Sequence, residues 1–430
     1  MSQNYDAIVV GAGAGGLFTA ARLQRQGYRT IVLERLDKVG GRASTTDVDG
    51  FKVNDGAIVI ECGTVTERTF RELDLEWKVR QPSVPILYRI KGKDVDVTGG
   101  GWGFLLEKLT RQGAKLVGGI GAARKDDAAL PEDQLSLQDW VARYTKNEGV
   151  HGIFRNMAAS VFSVGSEDLP AKVFLTYFTR KSAFKKFGFH PEGTIGVWKQ
   201  LAGAIERDGG EVRLSTEVER IVVEDGKVTG VVAGGETMRA PIVVSDVGPA
   251  MTVSLVGEEA FEADYLAEVK RNDRPTAMIT YNFASRERLV DAPGMLSFAT
   301  SRRLAYIANY TDTCPEMAPE GWNLYTGTGV PKPTIGDFDE EAEYALLLQD
   351  LRENIADFDE RARILSRVTT RDGWPPQRAI AGFDMTHDTP IAGLWNVGDA
   401  VKEYANGGTT ACAETAEIVV GKIAAQLQPA

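Results

Sequence analysis

The chain has 430 residues, 43% of them hydrophobic and 25% charged, which is enough apolar material for the cores of two domains. A formal charge of −11 argues against nucleic acid or an anionic membrane surface as the main partner, because both repel an acidic protein. Cys62, Cys314 and Cys412 are widely spaced, with no CxxC pair and no even-numbered framework, which speaks against a zinc site and for a reducing compartment.

The opening "MSQNYD" is polar and runs straight into an apolar stretch, so a signal peptide is not expected. No run of about 18 apolar residues predicts a spanning helix, and the cytoplasm is the expected location. Residues 5–10 predict a strand buried on both faces. Residues 14–27 predict a helix with Leu17, Ala20, Ala21 and Leu23 inward, and 28–34 a second strand, completing βαβ. Between about 82 and 190 lie "TGGGWG" (98–103), an acidic loop at 125–134 and helical segments rich in aromatics. The basic stretch "TRKSAFKKF" (179–187) is read as a solvated face. Residues 193–260 return to α/β character. Residues 261–380 mix strand-like runs with an acidic helix near 339–359, and the chain closes with "GLWNVGDA", a glycine-rich turn and a last helix. No repeat of 20–50 residues is apparent.

Gly11, Gly13 and Gly16 form GxGxxG between strand and helix, with Ala14 and Gly15 inside the turn. The first glycine permits the tight turn, the second admits a pyrophosphate, and the third lets helix and strand pack closely. The helix's first N–H groups then face the phosphates. Glu34, followed by Arg35, is placed to accept from the adenosine ribose hydroxyls, and its charge opposes a 2′-phosphate. This pattern predicts a dinucleotide site without separating NAD from FAD.

Two further motifs favour FAD. "VGGRAST" offers Gly40 and Gly41 for close backbone approach and Arg42 as a cation for the pyrophosphate. In "GLWNVGDAVKEYANGGTTACAETA", Gly398 and Asp399 end an apolar strand, where a carboxylate can meet ribityl hydroxyls. Gly407, Gly408 and Thr409 open the last helix, whose positive end suits the flavin's N1–C2=O edge.

These segments, with "PEGTIGVWKQLAGAIERDGGEVRLSTEVERIVVEDGKVTGVV" and "APIVVSDVGPAMTVSLVG", resemble the amine oxidase superfamily of FAD-dependent oxidoreductases, especially its phytoene desaturase-like branch. The resemblance covers about half the chain. It implies an α/β fold: a discontinuous Rossmann-like FAD-binding domain (glutathione-reductase-2-like) with an inserted α+β substrate domain. The flavin part is expected from 1–80, 191–260 and 381–430, and the substrate part from 81–190 and 261–380. It also implies that the Val218 backbone contacts the adenine. The chain departs from the desaturase pattern at "PEGTIG" (191–196) and "EYANGG", and is shorter than carotenoid desaturases. No cysteine matches the flavin-attachment position of monoamine oxidases, so noncovalent FAD is expected.

For catalysis, Tyr404 and His190 are the candidates, with Ala405 and Asn406 expected near the flavin; His151 and His387 are read as structural. The aromatics Trp102, Phe162, Phe174, Tyr177, Phe178 and Phe184 would suit an apolar pocket. The expected reaction is hydride transfer at flavin N5 with C–C desaturation or saturation of an apolar small molecule. Alternatives are a flavin amine oxidase, a flavin-dependent double-bond isomerase and a binding protein resembling Rab GDP-dissociation inhibitors. No metal is called for; the electron partner and a homodimer are left open.

Overall fold

The computed structural model describes residues 5–90, 92–96, 113–181 and 186–429. Trp102 with its glycine-rich stretch, Phe184, and part of the basic stretch lie outside the described residues.

The first apolar run forms β1 (Ala7–Val10), followed by α1 (Ala14–Arg25) and β2 (Thr30–Leu33). Gly27, at φ +92°, lets the chain turn out of α1, so the helix ends two residues earlier than its apolar pattern predicts. Four more elements matter here: α2 (Ile195–Arg207), β3 (Glu211–Arg213), β4 (Ile242–Ser245) and β5 (Leu394–Asn396). The five strands form one parallel sheet in the order β5-β4-β1-β2-β3. Strands from both ends and the middle of the chain therefore share a sheet, and the isolated C-terminal "LWN" finds its partner in β4 through Val243–Leu394 and Val244–Trp395.

Period-two geometry explains why these strands are apolar throughout. Ala7, Val9, Val32, Ile242 and Val244 face α1, α2 and the last helix, α3 (Gly408–Gln426), packing with Leu17, Phe18, Trp198, Leu201 and Val420. Ile8, Val10, Ile31, Leu33, Val243 and Leu394 face the opposite way, onto Val218, Ile221 and Val231. Those residues belong to a three-stranded antiparallel sheet, Val218–Glu224, Lys227–Ala233 and Glu236–Arg239.

A second, seven-stranded sheet runs in the order Arg363–Thr370, Met278–Ser285, Asn323–Gly329, Leu304–Asn309, Met295–Phe298, Ile86–Ile90, Lys93–Asp96. Its neighbours are antiparallel except Met295–Phe298 with Ile86–Ile90. The acidic segment forms the helix Glu340–Asn354, started by the Asp339 side chain accepting from the Ala342 N–H at 3.1 Å. Tyr344, Leu347 and Leu351 of that helix cover Tyr281, Phe283 and Ile307 of the sheet. The aromatic segments fold into helices around Trp140, Phe154, Phe162 and Phe174. Phe162 and Phe174 are thus core residues, and Phe178 packs with its ring 4.5 Å from that of Phe174.

Candidate active site

Both ends of the chain and its centre meet around a cavity of about 640 Å³. Its wall includes Gly11, Gly13, Ala14, Glu34, Arg35, Gly40, Gly41, Arg42, Val218, Asp399, Gly407, Gly408 and Thr409. Gly15, Gly16 and Gly398 stand behind this wall and shape it. A Cβ on Gly16 would lie 2.1 Å from the Gly11 carbonyl oxygen, and one on Gly15 would lie 2.9 Å from the Gly398 nitrogen. Close backbone approach thus demands glycine there.

Glu34 does more than face the cavity. Its carboxylate accepts from the Ala12 N–H at 2.7 Å and the Leu36 N–H at 2.9 Å, bracing the glycine turn from the end of β2. The second glycine motif is tied to the first by the Gly40 N–H donating to the Ala12 carbonyl at 2.8 Å. Gly40 has φ +98°, and a Cβ there would meet Trp198 Cδ1 at 2.3 Å. Trp198 is held in turn by its indole N–H donating to the Ala43 carbonyl at 2.5 Å. Arg35 lies over the Trp374 ring, 5.8 Å from its centroid, across the cavity rim.

The charges are arranged differently from the sequence expectation. Arg42 and Asp399, assigned to separate parts of the nucleotide, form a bidentate pair: Nη2 to Oδ1 at 2.5 Å and Nη1 to Oδ2 at 3.2 Å. The reason is topological, since the turn after β2 and the loop after β5 converge on one side of the sheet. Burial would raise the Asp399 carboxyl, but Arg42, Arg378 and Lys402 outweigh it and hold it well below the usual range. Asp246, just past β4, was not singled out from the sequence. Its carboxylate packs against the glycine turn; a Cβ on Gly13 would lie 2.4 Å from Oδ2 and one on Gly398 2.5 Å from Oδ1. Burial pushes its pKa up to about 7, against hydrogen bonding from the Gly16 backbone and the attraction of Arg42. Arg378, also missed, is lowered to about 10 by burial and by the like charge of Arg42. The signal that could have found Asp246 is the one used for Asp399: an acid closing an apolar strand.

At the start of α3 the wall also holds Glu61, which no sequence motif marks. Glu61 is 5% exposed; its Oε2 accepts from the Thr409 hydroxyl at 2.7 Å, and a Cβ on Gly408 would lie 1.9 Å from Oε1. Burial raises its pKa, while hydrogen bonds from Thr409 and Thr410 oppose the rise.

A model of the family described as flavin containing amine oxidoreductase matches residues 14–397, nearly the whole chain. The chain belongs to that family. The family is one of flavin-containing oxidoreductases, and FAD is the cofactor that membership gives this chain. An oxidoreductase from Methanosarcina mazei is 27% identical and superposes with a TM-score of 0.87, covering 96% of this chain and 99% of its own. The phytoene desaturase (neurosporene-forming) of Cereibacter sphaeroides is 26% identical over 56% of this chain and 52% of its own. The chain thus spans about half the length of that desaturase. Putrescine oxidase bound to putrescine shares the fold at a TM-score of 0.70 and 15% identity, covering 99% of this chain and 100% of its own.

The residues present fit the flavin nucleotide. Glycines stand where a Cβ would fill the cradle, and the cavity volume lies within the ordinary range for a bound small molecule. FAD, when bound, supplies a two-electron acceptor for hydride. Neither catalytic candidate is brought to the cavity wall. His190 is buried against Gly196, its Nδ1 accepting from the Glu192 N–H at 3.1 Å, and burial lowers its pKa. Tyr404 is 42% exposed and lies outside the lining, as do Ala405 and Asn406. Of the loop after β5, Asp399 and Gly407 line the cavity and the residues between them do not. Among the aromatic candidates in the described residues, Tyr177 alone lines the cavity.

Proposed function

We propose that this chain transfers hydride between FAD and an apolar small molecule, desaturating or saturating a C–C bond. The observation that carries this reading is the wall contributed by the seven-stranded sheet: Met278, Thr280, Tyr306, Val368 and Thr370, all uncharged. Val161 and Tyr177 extend the same surface. This part of the wall selects by shape and by uncharged contacts and itself carries no ionised group to pair with a protonated amine. Similarity to phytoene desaturases supports the same direction. In this reading the parallel sheet and its helices are a Rossmann-like flavin domain built from 1–80, 191–260 and 381–430, and the second sheet with the aromatic helices is the substrate domain. Gly11, Gly13 and the first turn of α1 hold the diphosphate, Glu34 the ribose, and the Val218 backbone the adenine. The Arg42–Asp399 pair orients the chain between diphosphate and ring.

The competing reading, amine oxidation, draws on the family description and the fold shared with putrescine oxidase. Anaerobic reduction of the bound flavin, followed at its visible absorption band, distinguishes them. Apolar alkenes, enones or alcohols should bleach the band while polyamines and arylalkylamines leave it unchanged; the reverse pattern overturns the proposal. Product analysis with no net change in flavin oxidation state would point instead to double-bond isomerisation.

A further inference from the structure

Glu61 is a buried carboxyl in the cavity wall, hydrogen-bonded to the start of α3. It closes the short strand Ile60–Glu61 and enters the wall beside Gly407, Gly408 and Thr409. Among the described residues its carboxyl is held by hydroxyl and backbone donors at the start of α3 rather than by an ion pair. Its surroundings pull in opposite directions. Burial favours the neutral acid. The Thr409 hydroxyl and the positive end of α3, a helix of 19 residues, favour the carboxylate. A carboxyl balanced in this way can both hold and release a proton. The neighbouring titratable groups are Cys62 on its own strand, Glu67 on the following helix, Lys186 on the paired segment and Cys412 on α3. The Cys62 thiol is pushed up to about 12 by burial and then by the charges of Glu67 and Glu61, and the Cys412 thiol is raised well above its ordinary value, so neither competes as a proton donor near neutrality.

We propose that Glu61 gives its proton to the bound flavin when the ring is reduced. The proposal rests on the flavin reading above, in which the start of α3 faces the ring. Hydride would leave one substrate C–H bond with both its electrons and add one negative charge to the ring, while the proton of the adjacent C–H bond leaves to solvent as the C=C bond forms. The Glu61 O–H bond then breaks, its proton joins the reduced ring, and the charge passes to the carboxylate. Thr409 and the end of α3 are already placed to receive that charge. The net effect is that negative charge never stays on the ring in a cavity of low polarity.

The test is a reduced-minus-oxidised infrared difference spectrum of the FAD-loaded enzyme, reduced photochemically without substrate. Wild type should lose a protonated-carboxyl C=O band on reduction. Glu61→Gln, which keeps the side chain's shape and its acceptor for Thr409, should lack that band while retaining flavin. Thr409→Val, which removes a hydrogen bond to the acid, should shift the band's frequency. An unchanged band in Glu61→Gln, or no such band in wild type, overturns the proposal. If Glu61→Gln does not fold, an unshifted band in Thr409→Val overturns it as well. A wild-type chain that takes up no flavin at all would instead remove the reading of the site on which the proposal stands.

Discussion

Asp246 places a carboxyl with a pKa near 7 against the glycine turn, and this has a measurable thermodynamic signature. Its folded value lies above the ordinary 3.8, so the native state keeps a proton that the unfolded chain has already lost. The stabilisation is therefore fully present below the unfolded pKa, is lost progressively as pH rises, and is gone above about 7. At about 1.4 kcal/mol per pH unit, the part lost above about pH 5 has a ceiling of roughly 3 kcal/mol. Asp246 is only partly screened from the cavity's solvent and is coupled to Arg42, so about half of that, ~1–2 kcal/mol, is expected. Asp246→Asn removes the titration with little change in volume. Thermal unfolding of the flavin-free chain, followed by tryptophan fluorescence at about pH 5 and about pH 8, reads the effect. Wild type should lose about 3–6 °C more than Asp246→Asn over this range, taking ~2–4 °C per kcal/mol for a cooperative unit of about 200 residues. Identical pH dependence in the two proteins would falsify the placement of this carboxyl in a desolvated site. Asp246→Asn should also retain FAD better at the higher pH, because it removes a negative charge beside the diphosphate cradle.

Other consequences follow from the same geometry. Glu34→Ala strips two backbone N–H groups of their acceptor and should cost ~1–3 kcal/mol in addition to weakening flavin retention, whereas Gly13→Val should exclude flavin by bulk; full cofactor content in both variants would place the adenosine half elsewhere. Arg42→Ala and Asp399→Ala should each destabilise by ~1–3 kcal/mol, and the double variant by clearly less than the sum, since each single change removes one partner of the same part-buried, bidentate pair. Additive chemical-denaturation midpoints would refute that coupling. Tyr404→Phe should leave flavin content and the rate of substrate-driven flavin reduction near wild type; a large loss of rate would return this residue to the site.

The division between sequence and structure follows the range of the interactions involved. GxGxxG, the second glycine pair with its arginine, and the acid at the end of an apolar strand are local signatures, because each is required by backbone geometry within a single turn. They are enough to anticipate FAD as the cofactor. The aromatic residues Phe162 and Phe174 were not separable from pocket residues by type, since a ring packs equally well in a core or a cavity. Tyr404 and His190 stand beside cofactor motifs along the chain, and adjacency in sequence does not specify where a loop points.

From the residues alone came the parallel βαβ start, the nucleotide turn and the identity of the cofactor, all consequences of short-range sterics and strand patterning. Only the folded chain paired Arg42 with Asp399, set Asp246 against Gly13, and brought Glu61 to Thr409 across 348 positions of sequence. Those contacts depend on how sheets and helices stack, and the energy of a charge depends on what it meets after that stacking is complete.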